Sequence, residues 1–390
     1  MDFYERALEL QEETVFHRRW FHANAECGLD LPKARDYVMK TLTQYGLEPK
    51  ICGYGVTATV GSGGKCILLR ADMDALPMQE ESGEAFACTY GVAHTCGHDF
   101  HVAMLLTAAK MLKEREETLT GTVKFMFQPA EETFEGAADM IENGILENPK
   151  VDAALAFHVT SGQMPVGLYM YNSTSTMMAS VDGFRIEIQG KGAHGAYPHY
   201  SVDPINIGVH IYLVLEALIA REANPDEMCV MTVGKFQAGT AANIIPDAAV
   251  LEGTIRTKSP ESRALLVRRM KETAEMTAKV YGGSAKVTMT SGVAPLICNK
   301  ELTEELTGYI AQMNIPGAMP YPGISASASE DFATVAEAVP AAFIHLSAGF
   351  TDERGIYPAH NPKVRFNEDV CPIGASAYAA CARRWLKNHG

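Results

Sequence analysis

Apolar positions in the first part of the chain follow two alternating rhythms. Met1 to Gln11 and Leu31 to Gln44 carry helical spacing, whereas Cys66-Ile67-Leu68-Leu69-Arg70 is an unbroken apolar run of the kind a strand buried on both faces shows. Thr122 to Phe127 and Val151 to Phe157 repeat the strand pattern. Between them lies a helical piece at Ala137 to Asn143, ended by Gly144. Asp99 is expected to cap a helix running through Met104, Leu105, Ala108, Met111 and Leu112. Strands alternating with helices predict an α/β layering.

Near Ala179 the pattern changes. The periodicity predicts a strand at Gly183 to Gln189, a helix at Pro204 to Arg221, strands at Met228 to Phe236 and Ala248 to Arg256, a helix at Glu261 to Tyr281 and a strand at Ala285 to Thr290. That order, β-α-β-β-α-β, is the split ferredoxin-like motif. The α/β style then resumes with a helix at Leu302 to Met313, a strand at Ala342 to Leu346 and a closing helix after Pro372. We expect a discontinuous α/β catalytic domain (residues 1–178 and 293–390), its mixed sheet flanked by helices, with an α+β domain (179–292) inserted.

Length agrees with that division, because 390 residues exceed one ordinary core. The net charge of −14 argues against nucleic-acid binding, which wants basic stripes. By eye no apolar stretch is long enough to span a bilayer, and Met1-Asp2-Phe3-Tyr4-Glu5-Arg6 lacks the basic and apolar regions of a signal peptide. Nine cysteines at irregular spacing fit free thiols in a cytoplasm better than a disulfide framework.

The chemistry-bearing residues gather where ligands bind in α/β sheets, outside the carboxyl ends of strands. Asp72 and Asp74 follow one strand, Glu131 and Glu132 a second, and His158 ends a third; Cys96 and His98 lie in a loop leading into a helix. With the distant His360 they offer more donors than one zinc ion with an open position takes. Two ions sharing a ligand would use Cys96, His98, Glu132, His158 and His360. Glu131 and Glu132, adjacent past a strand end, should diverge, one binding metal and the other serving as general base and then acid. Singly, each of these residues is more often a buried thiol, a structural imidazole or a solvated carboxylate. Their joint placement is what argues for chemistry.

An ordered series of segments resembles the bacterial aminoacylase and hippurate hydrolase family, which also holds the plant hydrolases of indole-acetyl–amino acid conjugates. The segments are Arg18-Arg19-Trp20-Phe21-His22, Leu69-Arg70-Ala71-Asp72-Met73-Asp74-Ala75-Leu76-Pro77, His94-Thr95-Cys96-Gly97-His98-Asp99 and Phe127-Gln128-Pro129-Ala130-Glu131-Glu132. Gly190-Lys191-Gly192-Ala193-His194-Gly195-Ala196, Ala242-Asn243-Ile244-Ile245-Pro246, Ser329-Glu330-Asp331-Phe332 and His360-Asn361-Pro362 complete it. The resemblance implies an aminopeptidase-like catalytic domain and an inserted lid and dimerisation domain. It implies Cys96 as a bridging thiolate, with His98 and His158 on one ion and Glu132 and His360 on the other. Glu131 becomes the acid/base and Asp74 an aspartate that orients a metal ligand. His194 would hold the reacting carbonyl oxygen, often in the partner subunit, and Asn243 and Arg256 would bind substrate. Departures from the family pattern, at Ala25-Glu26, Thr133-Phe134-Glu135 and Ser325-Ala326-Ser327-Ala328, touch the pocket rim and leave the ligand set whole.

The expected activity is metal-dependent removal of the N-acyl group from an N-acyl amino acid. The cofactors are two divalent ions (manganese, zinc, cobalt or nickel), and the assembly is a homodimer or larger homo-oligomer with no nucleic-acid or membrane partner. Rival readings are a dipeptidase or carboxypeptidase, an N-acetyl-diaminopimelate deacetylase, and a non-catalytic metal-binding scaffold.

Overall fold

The computed structural model describes residues 2–349, 352 and 354–390, so Met1, where the first expected helix begins, lies outside the described residues. Internal packing divides the chain into two compact units. One comprises Met1–Met177, Ile297–Ser325 and Asp331–Gly390, the other Met178–Leu296 and Ala326–Glu330.

The first unit opens with α1 (Phe3–Glu9), α2 (Gln11–Ala23), α3 (Pro32–Gln44), β1 (Lys50–Cys52), β2 (Gly55–Gly61) and β3 (Cys66–Asp72). It continues through α4 (His98–Lys113), β4 (Thr122–Gln128), α5 (Gly136–Glu142), β5 (Ala153–Thr160) and β6 (Leu168–Tyr171). The second unit runs β7 (Val181–Gln189), β8 (Ala193–His194), α6 (Pro204–Arg221), β9 (Cys229–Ala238), β10 (Ile244–Ile245), β11 (Ala248–Thr257), α7 (Pro260–Val280) and β12 (Ser284–Val293). The first unit then resumes with α8 (Lys300–Gln312), β13 (Met319–Pro322), α9 (Phe332–Ala338), β14 (Ala341–Ser347) and α10 (Cys371–His389).

Among the described residues the first unit forms an eight-stranded mixed sheet in the order β1-β2-β4-β3-β5-β14-β6-β13. β3 pairs in parallel with β4 and β5, and β14 in parallel with β5. Such central strands are covered on both faces, and β3, β4 and β14 are buried along their whole length. One continuous core joins the inner faces of α1, α4 and α10 to this sheet.

α2, β1, β2, β6, β13 and α9 are absent from the pattern-based reading. The buried face of α2 is made largely of Thr14, His17, Arg18 and His22, so hydrophobic periodicity could not reveal it. β13 is an exposed edge strand with two prolines. The expected Asp99 cap is a correction. The residue preceding α4 is Gly97, and Asp99 lies inside the first turn with its carboxylate on Arg18 and His22.

The second unit is a four-stranded antiparallel sheet in the order β12-β7-β11-β9. α6 and α7 cover the face that carries Phe184, Ile186 and Ile188. Each helix starts with a side-chain cap followed by proline, Asp203-Pro204 and Ser259-Pro260, which fixes its first turn. The reading that no stretch could span a bilayer needs correction here. The 18 residues of α6, mean hydropathy 1.3, qualify by length and composition. Ile207, Ile211, Leu215 and Leu218 bury one side of that helix in the unit's core.

Tyr378 of α10 ties two central strands together. Its hydroxyl donates to the Arg70 carbonyl at 2.7 Å and accepts from the Phe157 N–H at 2.9 Å. Tyr378→Phe should therefore cost about 1–3 kcal/mol in urea denaturation, the penalty of unsatisfied buried peptide groups. An unchanged unfolding midpoint and slope would refute the assignment.

Candidate metal centre

β3 and β4 end in register, Asp72 opposite Gln128, and the chain leaving each contributes to one cluster. After β4 it turns sharply, with Ala130 and Phe134 in the left-handed region at φ 53° and 60°. Beneath this turn lies Asp74. Its two carboxylate oxygens accept the Glu131 and Glu132 peptide N–H groups, each at 3.0 Å. Its main-chain carbonyl accepts from His98 Nδ1 at 2.9 Å. Thus Asp74 holds His98 through its backbone, and its carboxylate holds both glutamates.

With Nδ1 on that carbonyl, it is His98 Nε2 that faces the glutamates. It lies 3.8 Å from Glu131 Oε2 and 3.9 Å from Glu132 Oε1. The expected divergence of the two glutamates is therefore not observed, because the turn breaks strand alternation and brings both carboxylates toward one imidazole. Gly97 has φ 93°, and a Cβ there would come within 2.4 Å of Val159 Cγ2. Glycine lets the start of α4 approach β5 and sets Cys96 beside His158.

Cys96 Sγ lies 3.4 Å from His158 Nε2 and 3.4 Å from His360 Nε2. His360 Nε2 in turn lies 3.3 Å from Glu132 Oε1. Two groups result, Cys96–His98–His158 and Cys96–Glu132–His360, the donor atoms of each lying within 4.8 Å of one another. His158 Nδ1 donates to the Val159 carbonyl at 2.7 Å, leaving Nε2 as a lone pair toward Cys96.

The electrostatics favour an added cation. His98 Nε2 and Glu132 Oε1 are buried without a hydrogen-bond partner. Burial opposes a charge on His98, yet the facing Asp72 carboxylate outweighs it and holds its pKa well above the usual value: the pocket favours positive charge there. Burial pushes the Cys96 thiol up to about 12. A coordinated ion would remove that proton outright. Burial, with His101 and His345 adding to it, holds His158 well below its usual value, as a neutral ligand needs. Imidazole, thiolate and carboxylate donors together suit a transition-metal pair.

Sequence reasoning named Asp72 as a candidate but missed its partners. Arg70 Nη1 lies 2.7 Å from it, and His101 Nδ1 donates to its other oxygen. His101 Nε2 accepts from the Val159 N–H at 2.8 Å, which fixes the strand beside His158. The His-x-x-His spacing of 98 and 101 on one helix face was the available signal.

His194, Asn243 and Arg256 lie in the second unit. His194 pairs with Ile244 in the two-stranded β8–β10 ladder, and the Asn243 carbonyl accepts from Gly195 N–H at 2.8 Å. His194 and Asn243 are exposed. Arg256 of β11 donates to Ser329 Oγ at 2.8 Å, well away from that ladder in sequence.

The chain is 35% identical over 388 residues to the N-acetyl-L-cysteine deacetylase of Bacillus subtilis (strain 168), covering 97% of this chain and 90% of that one. It is 36% identical over 381 residues to the IAA-amino acid hydrolase ILR1-like 4 of Arabidopsis thaliana, covering 95% and 84%. A solved Bacillus subtilis structure described as a dinuclear metal binding peptidase from M20 family aligns with TM-score 0.82 at 29% identity, covering 97% and 99%. The model of peptidase family M20/M25/M40 matches residues 68–384, a span that includes all five candidate ligands and Glu131. The chain belongs to peptidase family M20/M25/M40.

Proposed function

We propose that this protein is a metal-dependent amidohydrolase that removes the acyl group from N-acyl amino acids, with two divalent ions held by Cys96, His98, Glu132, His158 and His360. The observation carrying this reading is the pair of donor groups that share Cys96, with Glu131 beside them. The substrate class is supported by two relatives named as hydrolases of acylated amino acids.

When bound, the ions would supply positive charge that polarises the amide carbonyl and makes the attacking water more acidic. Glu131 takes the proton from that water as its oxygen bonds to the carbonyl carbon. The carbon–nitrogen bond then breaks, and Glu131 returns the proton to the leaving amine. Asp74 keeps Glu131 in place through the peptide N–H it accepts. His194 donates to the developing oxyanion. Asn243 and Arg256 bind the substrate, Arg256 facing its carboxylate. The second unit thereby acts as lid and dimerisation domain, and the assembly is a homodimer. Exposed Ile205, Val209, Tyr212 and Leu213 on α6, with Tyr197, Tyr200 and Ile244 near His194, give it an apolar surface to bury. Nine free cysteines support a reducing cytoplasm.

Dialysis against a chelator should abolish hydrolysis of N-acetyl amino acids and hippurate, and manganese, zinc or cobalt should restore it. Full turnover by protein shown metal-free by elemental analysis would sink the reading. The adjacent glutamates should separate by role. Glu131→Gln should keep both ions and lose on the order of a thousandfold in kcat, whereas Glu132→Gln should lose metal as well. Equal metal content in the two variants would reverse or void the assignment.

If His194 acts on the partner's site, Glu131→Ala and His194→Ala should complement each other. A mixed dimer has one site with its own Glu131 and a borrowed His194, while its other site carries both defects. Random pairing should restore roughly a quarter of wild-type activity. Mixed dimers that stay inactive would exclude action in trans.

A further inference from the structure

The inward face of α2 is polar, and one of its residues, His22, bonds to two segments that hold different ligands. Its Nδ1 donates to Asp99 Oδ2 at 2.8 Å and its Nε2 to Glu80 Oε1 at 2.9 Å. Ionised carboxylates only accept, so both ring nitrogens carry protons and His22 is an imidazolium. The ring is 5% exposed. Burial and the neighbouring Arg18 oppose the charge, but the hydrogen bonds to Asp99 and Glu80 prevail and raise its pKa above the ordinary value. Arg18 faces it from α2, Asp99 from α4, and Glu80 and His94 from the segment between β3 and α4. Burial brings His94 down to about 3, so it is neutral. Arg18 pairs with Asp99 at 2.8 Å and lies between the Phe86 and Phe100 rings, 4.6 and 4.5 Å from their centroids. Two cations thus balance two buried carboxylates.

Both ends of this link run directly into the metal cluster. Asp99 adjoins His98. Glu80 accepts from Ser82 Oγ and the Cys88 N–H, which closes its loop. The next residue, Glu81, donates its N–H to the Pro362 carbonyl at 2.8 Å, two residues from His360. His360 N–H in turn bonds to the Thr95 carbonyl, adjacent to Cys96, at 3.0 Å. His22 therefore ties the helix start that presents His98 to the loop that steadies His360.

We propose that His22 is a positioning residue, a charged strut that fixes His360 relative to His98 and so governs capture of the cation on the Glu132–His360 side. This rests on the two-cation reading. A neutral side chain cannot replace it. Glutamine donates from its amide nitrogen only and turns a carbonyl oxygen toward the other carboxylate, leaving a buried charge uncompensated.

The test is titration of chelator-stripped protein with Mn2+, counting free ion by electron paramagnetic resonance, so that no readout depends on turnover. His360→Ala identifies which of the two affinities belongs to its side. In His22→Gln that same affinity should fall by roughly ten- to a hundredfold, with the other unchanged. Glu80→Gln should show the same selective loss, and it carries the test should His22→Gln fail to fold by circular dichroism. The double variant should be no weaker than His22→Gln, since both break one link. Two ions bound by the parent and with equal affinity by both variants would overturn the proposal. So would equal weakening of both sites, which marks general loosening. A parent that takes up fewer than two ions overturns the two-cation reading itself.

Discussion

The first unit must bury several carboxylates together at the carboxyl ends of its central strands. Asp72, Asp74, Asp99 and Asp331 are all buried, and Glu80 and Glu131 nearly so. A buried charge is tolerable only when it is paired or fully hydrogen-bonded. Arg70 answers Asp72 and Asp331 at 2.7 and 3.0 Å, and Arg18 with His22 answers Asp99 and Glu80. Asp74 is satisfied by two peptide N–H groups. What remains is Glu132, whose buried Oε1 has the His360 imidazole 3.3 Å away, beside a His98 Nε2 that makes no hydrogen bond. Arg70, Arg18 and His22 are committed to carboxylates below the pocket, so Glu131 and Glu132 face imidazoles alone. That distribution, more than any single donor, is what favours a cation at the cluster.

How much of this was legible follows from which interactions are local. Fully buried strands such as β3, and helices announced by a cap and a proline such as α6, state themselves in a few consecutive residues. The segments with Cys96, His98, Glu132 and His158 were likewise visible, because each places a candidate donor near a strand end or helix start, whereas His360 lies in a turn far along the chain. α2 was not, since a helix that turns arginine and histidine inward inverts the hydrophobic pattern. The Arg18–Asp99–His22–Glu80 chain was illegible for a related reason. Its partners lie 58 to 77 residues from His22, and neither end has a local signature. Asp99 was misread on the same grounds. A short acidic residue near a helix start reads as a cap in sequence, but here tertiary ion pairs claim its carboxylate.

Asp74 shows a different limit. The resemblance gave it the task of orienting a metal ligand, and it does hold His98, but with a main-chain carbonyl that any residue could offer. Its carboxylate grips the turn of Glu131 and Glu132, with Oδ1 also 3.5 Å from His98 Nδ1. One short side chain thus fixes two groups with different proposed roles, acid/base and ligand, through their backbones. Their carboxylates both lie toward His98 Nε2, at 3.8 and 3.9 Å. This arrangement allows two adjacent residues to do different work without strand alternation to separate them.

A thiol as the proposed shared donor fits the same electrostatic constraint. A third carboxylate beside Glu131 and Glu132 would add a permanent charge to a pocket already short of cations. Cys96, its thiol pushed up to about 12 by burial, adds none until a cation arrives. A bound cation would remove that proton and neutralise the thiolate. On the proposed assignment, the apo fold therefore carries less unbalanced charge than an all-carboxylate bridge would impose. On that assignment the thiolate would form only where there is metal for it to hold.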